Sequence, residues 1–163
     1  MKPLLLTTGI VAIAMGLSGC IVIQAPVAPQ APVASPSALA RPQNCDNDTL
    51  RLSEPGSYQL DDSCDSLIVE GNDITVAAFE LDSLTIRGDR VTVVGEEFDS
   101  VAIGGNENRV MAASFGTVSI NGDRNVADAE KIQSLRIGGN DNSVTGRVSG
   151  AIDQNGDRNE IDQ

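Results

Sequence analysis

Histidine and tryptophan are absent from this 163-residue sequence, and its aromatic side chains are one tyrosine and three phenylalanines. The commonest general base and metal ligand is therefore missing. The sequence also has few of the aromatic rings on which carbohydrate clefts usually stack sugars. These absences argue against an enzyme, and we predict no catalytic residue, no cofactor and no metal ligand.

Basic residues are scarce as well, with 11 Lys and Arg against 23 Asp and Glu, for a net charge of −12 at pH 7. A nucleic-acid-binding protein needs a basic face to neutralise phosphates. We therefore expect no nucleic acid partner. The excess of acid predicts a solvated acidic surface and weak association with cations.

The first residues have the pattern of an export signal. Lys2 supplies a positive charge, and the apolar run from Leu4 to Met15 is too short to span a bilayer. The phrase Leu17-Ser18-Gly19-Cys20 that follows resembles the lipobox of bacterial lipoproteins. An ordinary secretory signal that ends in cysteine is the alternative.

The lipobox resemblance implies that residues 1–19 are a lipoprotein signal peptide and that Cys20 becomes the lipidation site. The mature protein would then be held at a membrane of the cell envelope by two or three acyl chains. Ile21, and not aspartate, follows the cysteine. In a Gram-negative bacterium this implies the outer membrane, with the domain facing the periplasm or the cell surface.

Residues 20–43 are rich in alanine and proline, a composition typical of an extended linker. We predict a lipid-anchored linker over this segment and a folded domain over 44–163. Cys45 and Cys64 form an even pair in an exported chain, which predicts a disulfide. Because they lie close to one repeat length apart, the bond would join neighbouring coils.

Glycine recurs every 17 residues within similar phrases, such as Ser83-Leu84-Thr85-Ile86-Arg87-Gly88-Asp89. Self-similarity at a fixed short period is typical of a solenoid. We interpret these glycines as structural turn residues that supply conformational freedom at a corner. The six are Gly71, Gly88, Gly105, Gly122, Gly139 and Gly156.

Apolar residues recur four and two positions before each glycine and five positions after it, and the alternation within the unit is typical of a half-buried strand. A further apolar column begins at Cys64 and Leu81. The pattern predicts an all-β parallel β-solenoid, or β-helix, of about seven 17-residue coils. It does not fix the handedness. An antiparallel meander is the alternative, but it would give alternate turns different neighbours.

The residue after each glycine alternates between asparagine and aspartate, and the next residue alternates in charge. Stacking in a solenoid would place these residues above one another, so the alternation separates like charges and lets amides donate to carboxylates. We predict a structural Asn/Asp ladder. It consists of Asn72, Asp89, Asn106, Asp123, Asn140 and Asp157.

A second asparagine column, Asn108, Asn125, Asn142 and Asn159, stands where earlier coils have Ile74 and Val91. Stacked asparagines can bond one another and the backbone, and they tolerate left-handed dihedrals. We therefore predict a structural role for this column too.

Two longer phrases, Ile103-Gly104-Gly105-Asn106-Glu107-Asn108-Arg109-Val110 and Ile137-Gly138-Gly139-Asn140-Asp141-Asn142-Ser143-Val144, resemble repeats of a bacterial family of exported proteins, the domain of unknown function 3060. The similarity extends over roughly 66–161. It implies a β-solenoid and transfers no catalytic residues.

Together these patterns predict a lipid-anchored envelope solenoid with a structural or protein-interaction role and an envelope protein or glycan as partner. The alternative is a calcium- or glycan-binding envelope module, since the Gly-Gly-Asn phrases are similar to the glycine-rich turns of calcium-loaded β-rolls. The seventeen-residue period and the missing third glycine depart from that pattern.

Overall fold

The computed structural model describes residues 40–43, 45, 49–60 and 64–163. The predicted signal peptide 1–19, the predicted lipidation site Cys20 and most of the predicted linker lie outside the described residues. The described part contains strands and turns and no helix. Its strands are β1 (Arg41–Gln43), β2 (Thr49–Leu52), β3 (Gly56–Leu60), β4 (Cys64–Val69), β5 (Ile74–Ala77), β6 (Glu80–Ile86), β7 (Thr92–Val94), β8 (Glu97–Ile103), β9 (Arg109–Ile120), β10 (Val126–Ile137), β11 (Ser143–Val148), β12 (Ile152–Gln154) and β13 (Glu160–Asp162).

Every strand pairing in this part is parallel, and most join residues 17 positions apart. One stack contains β2, β4, β6, β8, the second halves of β9 and β10, and β12. The other contains β1, β3, β5, β7, the first halves of β9 and β10, β11 and β13. The predicted parallel β-solenoid of about seven 17-residue coils is confirmed.

The apolar columns point into the interior, as the period predicts. Leu67, Leu84 and Val101 lie one above the other and are almost completely buried. In the column that begins at Cys64, the rings of Phe98 and Phe115 stack with centroids 6.1 Å apart. Each coil thus buries its apolar side chains against the coils above and below it, which is how a solenoid obtains a core.

The first coils depart from the strict 17-residue period, because β3 pairs with β5 at an interval of 18 residues. β1 lies within the residues that the composition assigns to the linker, but it pairs with β3, and the Arg41 guanidinium lies 5.8 Å from the centre of the Tyr58 ring. Pro42 is tolerated there because β1 is an edge strand, where a missing N–H removes no interior bond. The stacked structure therefore starts a few residues earlier than predicted.

The structure brings together the two cysteines that the sequence pairs. Cys45 and Cys64 are joined by a disulfide, with Cα atoms 5.5 Å apart and a separation of 19 positions in the chain. Cys64 is buried at the start of its inward column, above Leu81. The bond thus fixes the chain that follows β1 to the next coil, at the first end of the stack that the structure describes.

Candidate functional site

The turn glycines allow the backbones of successive coils to approach closely. In five of the six coils they are not needed for a positive φ. A Cβ built at Gly88 would overlap the carbonyl oxygen of Gly71, and one at Gly105 would overlap that of Gly88. Of the six glycines, only Gly156 has a positive φ. The prediction that these glycines supply conformational freedom is therefore wrong for the other five, because what the stacking requires of them is the absence of a side chain.

The left-handed conformation belongs instead to the charged residue two positions after each glycine. Its φ is between 55° and 58° in every coil, although none of these residues is glycine or asparagine. The residues are Asp73, Arg90, Glu107, Arg124, Asp141 and Arg158. Each Asn of the second asparagine column directly follows this residue and has no positive φ, so the tolerance of asparagine for left-handed dihedrals is not used there.

The Asn/Asp ladder links each coil to the next through side chain and backbone. Asn72 Oδ1 accepts a hydrogen bond from the Asp89 N–H at 2.7 Å. Asp89 Oδ1 in turn accepts from the Asn106 N–H at 2.7 Å and from its Nδ2 at 3.2 Å. The pattern repeats up to Asp157. Each ladder side chain from Asn72 to Asn140 therefore accepts a hydrogen bond from the backbone of the following coil.

The charged residues beside this ladder pair between successive coils. Arg90 donates to both carboxylate oxygens of Asp73, and Arg158 does the same with Asp141. The hydrogen bonds from Arg90 hold the pKa of the Asp73 carboxyl below its usual value, and Arg158 does so for Asp141. All four side chains are exposed, so salt screens these pairs.

We predict that replacing Asp141 with asparagine slightly lowers the free energy of unfolding at pH 7. Because the folded-state pKa is lowered, the pair stabilises the protein above the ordinary aspartate pKa and is lost as pH falls through the folded value. The difference in the free energy of unfolding between wild type and variant should therefore disappear at low pH. Urea titrations at pH 7 and at low pH measure it, with Asp162→Asn, an exposed carboxylate without an ion pair in the described structure, as control. A gap that persists in acid contradicts the assignment.

The second asparagine column lies in the interior. Asn108, Asn125 and Asn142 are at most 1 % exposed. Asn125 Oδ1 accepts from the Asn108 N–H at 2.9 Å, and its Nδ2 donates to the Gly105 carbonyl at 3.0 Å. Asn142 repeats both bonds one coil later. Sequence reasoning could have found this burial, because Ile74 and Val91 occupy the same column.

The polar groups of these turns are thus engaged with other parts of the same chain. Among the described residues, no group of three or more Asp, Glu or Cys side chains is arranged to hold a metal ion. The carboxylates that a calcium site in the turns would use accept backbone or arginine hydrogen bonds instead. The side chains of the turns thus join each coil to the next by hydrogen bonds.

One outward surface does not follow this pattern. It is the surface in front of the inward column that contains Phe98 and Phe115, and five successive coils, from that of Leu81 onward, each contribute one outward row to it. Successive rows are in strand register, although β11 has one residue fewer than β10 in this region. We call this surface the groove. Its rows are Glu80 with Asp82, Glu97 with Asp99, Ser114 with Gly116, Lys131 with Gln133, and Arg147 with Ser149.

The groove is concave and charged at both ends. Its larger recess encloses about 490 Å³ and is lined by Glu97, Asp99, Lys131 and Arg147 among others. A smaller recess of about 170 Å³ shares the two acidic residues and continues to Glu80 and Asp82. The sequence patterns described above did not predict this surface.

Residues 103–158 match the model of the family described as protein of unknown function (DUF3060). The predicted resemblance is therefore confirmed for this stretch, which contains both of the phrases quoted for it. No curated protein matches the chain, and no solved structure does. The described part of the chain has no helix of the length and apolar character that a membrane crossing requires.

Proposed function

We propose that the mature protein is a lipid-anchored β-solenoid of the bacterial cell envelope, with a structural or protein-interaction role and no catalysis. The lipobox-like phrase that ends at Cys20 supports the anchor. The alanine- and proline-rich stretch after it supports a spacer between the lipid and the folded domain.

The structural role is supported by the observation that the repeated polar groups bind neighbouring coils. In the turns, side chains that could perform chemistry on a ligand instead bind the neighbouring coil, as in the Asn72-to-Asp89 and Asn125-to-Gly105 hydrogen bonds. Such bonds, made coil after coil, give a stiff body with a regular surface. A repeat architecture of this kind presents an extended surface to a partner.

The proposal that the protein has no catalytic activity is supported by its side-chain chemistry. Histidine is missing from the sequence, and Cys45 and Cys64 are consumed in a disulfide. Nucleophilic catalysis needs a nucleophile beside a base that activates it. The remaining carboxylates of the turns are held by donors of the same chain.

The anchor is tested by replacing Cys20 with serine. We expect the wild-type protein to incorporate a clickable fatty acid and to sediment with the membrane fraction, and the C20S variant to lose both properties. The Cys45→Ser, Cys64→Ser double variant is the matched control, because it removes the other two cysteines and keeps the lipidation site. Unlabelled, soluble wild-type protein would contradict the anchor.

The interaction role is tested by photo-crosslinking in intact cells, with the crosslinker placed in turn at exposed positions around the solenoid. Reproducible adducts with an envelope protein at one face are expected. The calcium alternative predicts instead a large rise in melting temperature with calcium that chelator reverses, and no such shift is expected. Absence of protein adducts from every face would contradict an interaction role.

A further inference from the structure

We infer that the groove binds an extended polypeptide segment in which a basic block is followed, a few residues later, by an acidic block. This inference rests on the proposed interaction role and specifies the kind of partner. The partner's basic residues would lie over Glu80, Asp82, Glu97 and Asp99, and its acidic residues over Lys131 and Arg147.

The charges along the groove follow a different order from those in the turns. In the turns, acidic and basic residues alternate from coil to coil and pair, as Asp73 does with Arg90. In the groove, Glu80 stacks directly on Glu97, and Lys131 stacks on Arg147. Like charges in directly opposed positions of neighbouring strands repel. The groove thus accepts a repulsion that the same chain avoids elsewhere, which indicates selection for something other than stability.

The groove charges have no counter-ion in the described structure. None of the six charged groove residues takes part in an ion pair there, whereas arginines on other faces do. The neutral row of Ser114 and Gly116 keeps the acidic and basic blocks apart. Opposite charges that line one recess without meeting are available to a ligand that carries both signs.

The spacing fits an extended peptide that lies along the solenoid axis. The rows are separated by about 4.8 Å, so the nearest acidic and basic rows are about 10 Å apart. An extended chain advances about 3.3 Å per residue. Opposite charges about three residues apart in the peptide would therefore match the nearest acidic and basic rows of the groove. Further charged residues in each block of the peptide would match the outer rows.

Other partners fit the groove less well. A glycan would need an aromatic ring inside the groove to stack on. The ring of Phe115 behind the groove is only 2 % exposed, and Phe79, which is exposed beside Glu80, does not line either recess. A second copy of the chain would bring four acidic residues against two basic ones and leave an excess of negative charge. A partner segment with more basic than acidic residues offsets that excess.

The test uses the purified mature protein with its disulfide and two fluorescent peptides of equal composition, SKKKSSEES and SKEKSSKES. We expect the peptide with separated blocks to bind at least about fivefold more tightly in low salt, as measured by fluorescence anisotropy. The E97Q/D99N and K131Q/R147Q variants should each abolish this difference. The matched control is E160Q/D162N, which removes the same charge from β13 and should keep it.

Thermal melts of the same variants provide a second readout. Because E97Q/D99N removes a like-charge repulsion, we expect it to melt at the same temperature as wild type or higher, so any loss of peptide binding does not come from unfolding. Equal binding of the two peptides, or an equal loss in the β13 control, would overturn the proposal. So would a dimer in sedimentation that depends on both charge blocks, since it would assign the groove to a second copy.

The crosslinking experiment in cells separates this inference from the proposed function. Adducts at Ser114 or Gln133 support the groove as the contact surface. Adducts confined to other faces leave the interaction role standing and overturn the inference. Absence of protein adducts from every face overturns both.

Discussion

Replacing Gly105 with alanine is expected to lower the free energy of unfolding by about 3 kcal/mol. A Cβ at this position would overlap the carbonyl oxygen of Gly88 and lie 3.0 Å from that of Arg87. Neither oxygen can move away easily, because both belong to a coil whose backbone is fixed by the coils above and below it. The coils would have to separate locally, which breaks ladder hydrogen bonds. Urea denaturation followed by far-UV circular dichroism measures the change.

The neighbouring Gly104 provides the matched control for this prediction. The same substitution places a Cβ 3.6 Å from its nearest neighbour, the Ile86 carbonyl oxygen, which is an ordinary contact. Neither glycine has a positive φ, so backbone strain does not distinguish them. We expect Gly104→Ala to change the stability by less than about 0.5 kcal/mol. Equal losses for the two variants would show that stacking distance is not what the turn glycine protects.

The fold could be predicted from the sequence because the period and the alternation each constrain it independently. A 17-residue repeat places equivalent residues at equal intervals, and apolar residues two apart identify the faces that must be buried. The pairing of Leu67 with Leu84 follows from these two patterns together. The strict alternation after each glycine could likewise be explained only if those side chains stack.

The role of the turn glycine could not be predicted, because two causes select the same residue. A positive φ and a close backbone approach both favour glycine. The residue with φ near 55° is Arg90 or Asp73, and these carry no sequence signal that separates a left-handed residue from an exposed one. Only coordinates show which position has which conformation.

The basic end of the groove could not be predicted from the sequence, for a different reason. With a fixed 17-residue period, Lys131 would stand below Val148. In the structure it pairs with Arg147, because β11 has lost one residue relative to β10. This difference of one residue places Lys131 and Arg147 side by side, so the two cations form a basic block. Periodicity alone does not reveal a local irregularity of this kind. The acidic rows, by contrast, keep the 17-residue interval, as Glu80 and Glu97 do, and could have been found from the sequence.

The interior asparagine column leads to the second large effect, at Asn125. Replacing it with valine should lower the free energy of unfolding by about 2–5 kcal/mol. The side chain is fully buried, and its loss would leave the Asn108 N–H and the Gly105 carbonyl without partners in a dry interior. Valine is the residue that an earlier coil, at Val91, has in this column, so its shape is compatible with the site. The loss should appear as a lower urea midpoint with an unchanged m-value.

Asn108 offers a control within the same column. Its Oδ1 accepts from the Val91 N–H, but its Nδ2 is buried without a hydrogen-bond partner. Asn108→Val therefore removes one satisfied bond and also removes one unsatisfied donor, so it should cost clearly less than Asn125→Val. If the two variants lose the same stability, the interior asparagines act by filling space, and the hydrogen bonds they make to the neighbouring coils are not what selects them.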